Sequence, residues 1–347
     1  MMMNSSGASQ GIADIELSID SKTVRVPAGS TILKACREAG IAVPTLCHLE
    51  DVCSNASCGV CVVEVEGARS LVRSCVQAAQ AGMKVRTSSP RIMEARRTIV
   101  ELLLANHPDD CLACVRNQSC ELQALAERLG VRAKPFPRTR KPRQTDDEGL
   151  AILRDNDKCI LCGRCVAVCK ETQGVSAIDV VGRGARSRVA PFMDVSLSGS
   201  VCVSCGQCTL VCPTGALSER DETDEVFAEL YDPSKVVVVQ TAPAIRASLG
   251  EALGLPPGSL VTGKMAAALR RLGFAKVFDT QFTADLTIME EGSELIQRLT
   301  KGGKLPMITS CSPGWINFIE TFYPSLLPHL SSYKSPQQMF GRSEEHT

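Results

Sequence analysis

The sequence predicts an α+β protein built from several domains. The chain has 347 residues, which at about 150 residues per domain allows two or three domains. Its first part alternates polar and apolar residues as β-strands do, and then continues into a helical pattern. Its last third alternates short β-rich runs (residues 235–240, 277–279 and 307–309) with helical stretches (262–272, 285–301 and 313–322), which is typical of βα units on a parallel sheet.

The charge balance excludes several classes of partner. Lys and Arg number 38, as do Asp and Glu, so no electrostatic argument favours nucleic acid or an anionic membrane. No apolar run approaches the roughly 18 residues that span a bilayer, and the first residues lack the basic and apolar segments of a signal peptide. We therefore expect a cytoplasmic protein with no membrane or nucleic-acid partner.

The cysteines point to metal. The chain has 18 cysteines and four histidines, and the cysteines lie in clusters rather than in the scattered arrangement of a small disulfide-bonded secreted domain. Mixed Cys/His zinc sites cannot account for most of these thiols because histidine is scarce. Iron–sulfur ligation is therefore the leading interpretation.

Residues 1–11 are small and polar and predict a disordered start. We place a first domain at residues 12–89, where a hairpin at 12–26 and a helix from its N-cap Ser30 to Gly40 form a ubiquitin-like opening. Further strands are expected at 60–65 and 83–87. Four of its thiols suit a [2Fe–2S] cluster, namely Cys47, Cys58, Cys61 and Cys75.

The spacing of these four cysteines resembles the N-terminal ferredoxin domain shared by the large iron–sulfur subunit of respiratory complex I and by iron-only hydrogenases. Two cysteines are left over. Cys36 lies on the apolar side of the predicted helix, so we expect it to be a thiol packed in the core. Cys53 could be a fifth candidate ligand, but we leave it outside the site.

Residues 90–130 predict two helices beside a compact His/Cys motif. His107 precedes Cys111, Cys114 and Cys120, three thiols that otherwise lack a fourth partner. We therefore predict that His107 is a ligand, although a lone histidine is more often structural. The same spacing is characteristic of the family just named, where it holds a [4Fe–4S] cluster.

A basic, proline-containing segment follows at residues 131–147. Residues 132–143 hold six basic residues and three prolines, which predicts an extended, solvated linker. The alternative is a docking strip for an acidic partner.

Residues 148–220 contain two similar cysteine runs, each with the spacing Cys-x2-Cys-x2-Cys-x3-Cys. In such runs three thiolates hold one [4Fe–4S] cluster and the fourth reaches the neighbouring cluster. Paired zinc knuckles are the alternative. The predicted sets are Cys159, Cys162, Cys165 and Cys212 for one cluster, and Cys202, Cys205, Cys208 and Cys169 for the other.

Several segments beyond residue 235 carry the most specific resemblance. They are residues 241–243 (TAP), 262–265 (TGKM), 278–291 (FDTQFTADLTIMEE), 309–315 (TSCSPGW) and 334–338 (KSPQQ). They closely resemble the catalytic domain of [FeFe]-hydrogenases, the iron-only hydrogenases, and the likeness covers residues 12–341. In layout the chain looks most like the catalytic subunit of the multimeric, NAD(P)-linked members.

The resemblance implies a domain order. A ubiquitin-like [2Fe–2S] ferredoxin domain (12–89) is followed by a small helical His/Cys cluster domain (90–130) and the linker. A bacterial-type 2[4Fe–4S] ferredoxin domain (148–220) and an incomplete α/β hydrogenase catalytic domain (235–341) complete it. The accessory cofactors are then one [2Fe–2S] and three [4Fe–4S] clusters.

The resemblance also implies catalytic roles. In this family a [4Fe–4S] cube bridged to a diiron unit converts H2 to protons and electrons. By position, Cys311 matches the thiol that passes protons to this cofactor, and Pro243, Lys264 and Gln337 match residues around it. The proton relay would be Glu294, Ser331, Glu291 and Arg298, although Glu291, Glu294 and Arg298 alone could be an ordinary charged helix face.

The sequence departs from the family pattern in two places. The family has two adjacent cysteines where this chain has Cys311 and Ser312, so either Ser312 supplies an oxygen ligand or Cys311 anchors the cube and another group relays the proton. Two later cysteine motifs of the family are absent. Residues 342–347 match the translation of a common sequencing adapter, so we expect that Gly341 is the last biological residue and that the chain is a fragment.

The resulting hypothesis is a catalytic and electron-transfer subunit with H2 and protons as reactants. Its expected partners are a flavin- and NAD(P)H-binding iron–sulfur subunit with a small [2Fe–2S] subunit, or a ferredoxin, together with cofactor maturation proteins. The alternatives are an iron–sulfur subunit of a complex I-type or formate dehydrogenase system and a non-catalytic electron-transfer module. The TSCSPGW and KSPQQ segments favour the hydrogenase.

Overall fold

The computed structural model describes residues 13–143, 145–149 and 151–344, without the side chains of residues 343 and 344. The chain divides into two units, the first comprising residues 1–202 with 206–219 and the second residues 203–205 with 220–347. The predicted disordered start and the last three residues of the predicted tail lie outside the described residues. No helix in the described ranges combines the length and apolar character needed to cross a bilayer.

A five-stranded sheet with one helix opens the first unit. Its strand order is β2-β1-β7-β5-β6, with β1 parallel to β7 and the other neighbours antiparallel. A small hairpin, β3-β4, lies beside the cysteines. The elements are β1 (Asp14–Ile19), β2 (Lys22–Pro27), α1 (Ile32–Glu38), β3 (His48–Leu49), β4 (Cys53–Ser54), β5 (Val62–Val65), β6 (Val72–Arg73) and β7 (Lys84–Arg86).

The N-cap of α1 is Thr31, not the predicted Ser30. The Thr31 hydroxyl accepts a hydrogen bond from the Lys34 amide at 3.2 Å, whereas the Ser30 backbone carbonyl is committed to the Ala79 amide at 2.9 Å. Two adjacent hydroxyl residues gave the sequence no means of choosing between them. The predicted packed thiol Cys36 lies in the core of this domain, where burial raises its pKa to about 11.

Two helices, α2 (Pro90–Ala105) and α3 (Glu121–Arg128), follow as the motif predicts. Ser89 caps α2 by accepting a hydrogen bond from the Ile92 amide at 3.2 Å, and Pro90 fits the first helical turn because it has no amide hydrogen to satisfy. Buried Arg96 donates to the carbonyls of Val60 and Val62 at 3.1 and 2.8 Å. These bonds join α2 to the sheet domain.

The two cysteine runs form a compact domain closed by an antiparallel strand pair, β8 with β11. A second antiparallel pair, β9 with β10, lies between the runs, and a π-helical turn continues α4 over Val168–Thr172. The elements are β8 (Ile152–Arg154), α4 (Arg164–Ala167), β9 (Asp179–Val181), β10 (Arg188–Ala190), α5 (Gln207–Leu210) and β11 (Leu217–Glu219).

The second unit contains two parallel strands and six helices among its described residues. Strands β12 (Val238–Thr241) and β13 (Lys276–Asp279) pair in parallel, as βα units require. The helices are α6 (Thr223–Leu230), α7 (Pro243–Ala252), α8 (Thr262–Leu272), α9 (Gln281–Lys301), α10 (Pro313–Phe322) and α11 (Pro336–Glu344).

One expectation for this unit needs correction. The predicted strand at residues 307–309 is a single parallel bridge between Ile308 and Leu330, because only Ile308 finds a partner there: its amide donates to His329 and its carbonyl accepts from Ser331. Helices α6, α7 and α11 were not predicted, and α11 continues through Arg342 into the predicted tail.

Candidate iron–sulfur sites and proton relay

The four cysteines predicted to hold the [2Fe–2S] cluster lie together. Cys47, Cys61 and Cys75 are buried and Cys58 is half-buried. A hydrogen bond from the Cys58 thiol lowers the pKa of Cys47 to about 5, and the same contact raises the pKa of Cys58. Burial, with neighbouring Cys61, raises the pKa of Cys75 to about 12. Thiols crowded in this way are suited to sharing a cationic metal centre.

Cys53 lies at the edge of this group. Its sulfur is 3.7 Å from the Cys47 carbonyl oxygen and 3.5 Å from the Asn55 side-chain nitrogen, and burial raises its pKa. These contacts leave Cys53 beside the site but outside the paired thiols.

His107 has the geometry of a ligand. Its side chain is buried, and Nδ1 lies 3.1 Å from the Pro108 carbonyl oxygen. A carbonyl oxygen can only accept, so Nδ1 carries the hydrogen and Nε2 presents a lone pair. Nε2 is itself buried without a hydrogen-bond partner among the described residues, and burial lowers the pKa of the ring. A neutral imidazole with one free nitrogen fits metal binding.

The three cysteines of this motif are less deeply buried. Cys111 is exposed, whereas Cys114 and Cys120 are half-buried. The pKa of Cys120 is raised by burial and by the neighbouring thiols Cys114 and Cys111. Within the described residues, no three His, Cys, Asp or Glu side chains converge on a point suited to a single metal ion.

One predicted [4Fe–4S] set lines a common cavity. Cys159, Cys162, Cys165 and Cys212 all line one small cavity. The rest of the wall is mainly apolar and includes Ile160, Val189 and Leu217. Three thiols of the first run and the last thiol of the second run thus meet around one space, which is the crossed arrangement that the spacing predicts.

Local contacts of this set also suit a cluster. The Leu161 amide lies 3.4 Å from the Cys159 sulfur and points a donor at it. Burial raises the pKa of Cys162 to about 12, so without a metal this thiol would remain protonated.

The second predicted [4Fe–4S] set is only partly assembled in the first unit. Cys169, Cys202 and Cys208 pack against the same apolar core as Cys159, Cys165 and Cys212, and the Ala177 amide donates to the Cys169 sulfur at 3.2 Å. Cys205 is exposed and lies in the short segment 203–205, which belongs to the second unit.

Contacts that the sequence did not reveal connect the loops of different sites. Asn55 Nδ2 and Ser57 Oγ, near the first cysteines, donate to the Cys162 carbonyl at 2.9 and 3.3 Å. A Cβ on Gly215 would lie 2.7 Å from the Cys114 sulfur, so only glycine permits this approach. The glycine directly after Cys212-Pro213-Thr214 was the one available signal, and no pattern marked Asn55 or Ser57.

In the second unit, three of the predicted relay residues are in direct contact. Glu294 Oε2 accepts from Ser331 Oγ at 3.1 Å, and Glu294 Oε1 accepts from Arg298 Nε at 3.0 Å. Ser332, which was not predicted, donates to the same carboxylate through its amide at 3.1 Å. Burial alone would raise the pKa of Glu294, but the hydrogen bonds from Arg298, Ser332 and Ser331 lower it below its ordinary value.

Glu291 does not join this group: no hydrogen bond or ion pair links its side chain, on α9, to the other described residues. Its neighbour Glu290 contacts Tyr333 instead, and this hydrogen bond raises the pKa of Tyr333. The two glutamates are adjacent on α9, so helical spacing could not decide which of them faces residues 331–333.

Cys311 and Ser312 are both exposed, and Ser312 precedes α10 without capping it through its side chain. Ser310 Oγ donates to the Ser331 carbonyl at 3.1 Å, which connects the loop of Cys311 to that of Ser331. No hydrogen bond in the described residues joins Cys311 itself to Glu294.

The predicted cofactor-binding residues Pro243, Lys264 and Gln337 are exposed. Pro243 starts α7 directly after β12, and the Gln337 carbonyl accepts from the Gln240 side chain of β12 at 3.2 Å. Lys264 lies in the first turn of α8, and its side chain makes no hydrogen bond or ion pair within the described residues.

Four family models match consecutive parts of the chain. They describe a 2Fe-2S iron–sulfur cluster binding domain (residues 13–90), an NADH-ubiquinone oxidoreductase-G iron–sulfur binding region (96–135) and a 4Fe-4S dicluster domain (158–216). The fourth describes the C-terminal domain of the iron only hydrogenase large subunit and matches residues 235–344.

Curated relatives agree with these models. The NADP-reducing hydrogenase subunit HndD of Solidesulfovibrio fructosivorans is 52% identical over 94% of this chain and 58% of its own length. Iron hydrogenase 1 of Clostridium pasteurianum is 40% identical over 91% of this chain and 55% of its own length. The chain belongs to the iron-only hydrogenase family. It spans a little over half the length of these relatives.

A solved structure shares part of the fold of this iron-only hydrogenase chain. An NAD+-reducing [NiFe]-hydrogenase in the H2-reduced state matches with a TM-score of 0.56 and 31% identity, over 60% of this chain and 88% of that one. The likeness thus extends to a hydrogenase of another metal type.

Proposed function

We propose that this chain supplies the electron-carrying domains and residues of the catalytic domain of an NAD(P)-linked iron-only hydrogenase that interconverts H2 with two protons and two electrons. The observation that carries the proposal is the cavity shared by Cys159, Cys162, Cys165 and Cys212. Thiols from two separate runs line one space, which suits a cubic cluster.

The residues of the first unit fit the accessory clusters. Cys47, Cys58, Cys61 and Cys75 would hold a [2Fe–2S] cluster, and His107 would bind through Nε2 alongside its three cysteines. Cys159, Cys162, Cys165 and Cys212 would hold a further [4Fe–4S] cluster. The sequence spacing of Cys169, Cys202, Cys205 and Cys208 favours another. When bound, these clusters supply a series of one-electron carriers, and the protein sets their spacing and potentials.

The loop contacts favour a junction at the cavity of Cys159. Asn55 and Ser57 bind the Cys162 carbonyl from the [2Fe–2S] side. From the His107 side, the Glu121 amide donates to the Pro213 carbonyl at 2.9 Å. With clusters bound, these contacts would hold the loops of both sites against the cavity of Cys159, and we call the cluster that this cavity would hold the junction cluster.

The second unit fits the hydrogen-converting cofactor less well. Residues 220–347 contain one cysteine, Cys311, and one exposed thiol cannot hold a cube and a diiron unit. We therefore assign no step to that cofactor in this chain. The Glu294 carboxylate is a proton acceptor in contact with the Ser331 hydroxyl. This pair is the part of the proposed relay that the chain itself supplies.

The proposed partners follow from the relatives. HndD is named as a subunit of an NADP-reducing hydrogenase, so we propose a complex with a flavin- and NAD(P)H-binding iron–sulfur subunit and a small [2Fe–2S] subunit, or exchange with a ferredoxin. Cofactor maturation proteins are further proposed partners. We place the assembly in the cytoplasm.

The test uses the longest open reading frame at this locus, expressed anaerobically with hydrogenase maturation proteins. We expect CO and cyanide infrared bands, together with reduction of the accessory clusters by H2. A Ser312→Cys variant then assigns the role of position 312. Accessory clusters without those bands, where a known iron-only hydrogenase matures normally, would instead identify an electron-transfer subunit.

A further inference from the structure

The basic segment between the His107 motif and the first cysteine run is mostly exposed, as its composition predicts. It has no regular secondary structure, but its side chains bind specific groups of the first unit. Asn106 Oδ1 accepts hydrogen bonds from the Thr139 amide, the Thr139 hydroxyl and the Arg140 amide at 3.0, 3.0 and 2.9 Å. The segment is therefore fixed to the residue next to His107.

Two cations of this segment reach the backbone of predicted ligand residues. Arg140 Nη1 donates to the Cys159 carbonyl at 2.9 Å, and Lys134 Nζ donates to the His107 carbonyl at 2.6 Å. Asp157 anchors the same stretch by accepting from the Arg143 amide at 3.1 Å and by pairing with Arg138 at 2.9 Å. Two neighbouring sites are thus tied together by one segment of chain.

The two cations differ in how much of their charge is balanced. Lys134 also pairs with Asp109 at 2.5 Å, which offsets its charge. Arg140 is half-buried and has no acidic partner among the described residues. Its uncompensated positive charge therefore acts on whatever occupies the space beside Cys159.

We propose that Arg140 is a positioning residue that holds the Cys159 loop and raises the reduction potential of the cluster bound there. Lys134 holds the His107 loop through the corresponding backbone hydrogen bond. The inference rests on the proposed cluster ligands. A cation beside a cluster stabilises the reduced form, which carries one more negative charge, and hydrogen bonds around the ligands add to this effect. The segment therefore makes the junction cluster easier to reduce.

The experiment is a redox titration followed by electron paramagnetic resonance on the full, anaerobically reconstituted chain. At the potential where the wild-type junction cluster is half reduced, Arg140→Gln should lower the ratio of reduced to oxidised cluster about tenfold, which is 59 mV for a one-electron couple. Arg140→Lys keeps the charge and should restore most of this ratio.

Lys141→Gln is the matched control, because Lys141 is the next residue, is exposed and makes no hydrogen bond or ion pair in the described chain. Solvent screens the charge of Lys141. The ratio of reduced to oxidised cluster in Lys141→Gln should therefore stay within about twofold of the wild-type ratio. The [2Fe–2S] signal serves as an internal reference and should not move in any variant.

Equal shifts in Arg140→Gln and Lys141→Gln would overturn the proposal, as would an unshifted cluster in Arg140→Gln. Loss of the junction cluster from both Arg140 variants, with the [2Fe–2S] signal retained, would also overturn it, because Arg140 would then serve assembly alone. Absence of [4Fe–4S] signals from the wild-type chain would contradict the proposed ligand sets instead, so the two failures are distinguishable.

Discussion

Arg164 and Glu121 form a two-pronged ion pair that joins the His107 motif to the first cysteine run. Arg164 Nη1 and Nη2 donate to the two carboxylate oxygens of Glu121 at 2.6 and 3.0 Å. The side chain of Arg164 is 7% exposed and that of Glu121 is 46% exposed. Arg164 lies next to Cys165, so this pair fixes a loop that carries a proposed cluster ligand.

Glu121→Gln should lower the free energy of unfolding by about 1–2 kcal/mol, because it leaves a buried guanidinium without its counter-charge. Urea unfolding of the cluster-loaded chain, followed by far-ultraviolet circular dichroism, measures the change. Glu127→Gln on the same helix is the control, since Glu127 is exposed. Equal effects of the two substitutions would mean that the ion pair does not stabilise the fold.

Gly215→Ala should disturb the site of His107 and Cys114. The new Cβ would lie 2.7 Å from the Cys114 sulfur and 3.5 Å from Lys158 Cδ, so the thiol would have to move. We expect an altered or missing paramagnetic signal from that cluster, with the [2Fe–2S] signal unchanged. At Gly199 a Cβ meets its nearest atom, Ser196 Oγ, at an ordinary 3.5 Å, so Gly199→Ala should leave all signals intact.

His107→Ala should remove one [4Fe–4S] cluster per chain. Its Nε2 is the free, buried nitrogen of the motif, and three cysteines alone leave one iron without a protein ligand. Iron and labile sulfide analysis of the reconstituted chain measures the loss. His329→Ala is the comparison, because His329 lies in the second unit and bonds the Pro306 carbonyl. Full iron content in His107→Ala would show that His107 is not required to hold the cluster.

Arg298→Gln should destabilise the second unit by about 2–3 kcal/mol. Besides Glu294, Arg298 donates to the carbonyls of Lys304 at 3.1 Å and Leu330 at 2.6 Å, so its loss leaves several acceptors without a donor. Trp315, the single tryptophan of the chain, reports unfolding of this unit by fluorescence. Exposed Lys301→Gln on the same helix should change stability little, and a matching loss there would contradict this role.

Glu294 should make the stability of the second unit dependent on pH. Its folded pKa lies below the ordinary value of 4.5, so the folded state binds this proton less readily than the unfolded state. The stabilisation is fully present above pH 4.5 and is lost as the pH falls through the lowered pKa. Trp315 fluorescence in urea at several acidic pH values tests this, and Glu294→Gln should weaken the dependence. An unchanged dependence would assign it to other groups.

Sequence patterns could predict the elements that local chemistry determines. The two cysteine runs and the helical stretches at residues 262–272 and 313–322, which are α8 and α10, were predicted from patterns of a few residues each. Contacts between distant segments carried no such pattern. Asn55 binds the Cys162 carbonyl 107 positions away, and Arg140 was one of several basic residues in a segment whose composition suggested only solvation.

The residues of the proposed proton relay were also predicted only in part. Glu294, Ser331 and Arg298 were found through family resemblance and lie in contact. The choice of Glu290 or Glu291 as the neighbour of Tyr333 depends on the rotation of α9, which the apolar pattern does not determine to within one residue.

Cluster composition of the reconstituted chain tests the central claim most directly. Iron and labile sulfide analysis combined with Mössbauer spectroscopy should give one [2Fe–2S] and three [4Fe–4S] clusters per chain. Replacement of both Cys159 and Cys212 by serine should remove one of the cubic clusters and leave the [2Fe–2S] cluster in place. Zinc in place of iron, or a full set of cubic clusters after that double substitution, would contradict the account.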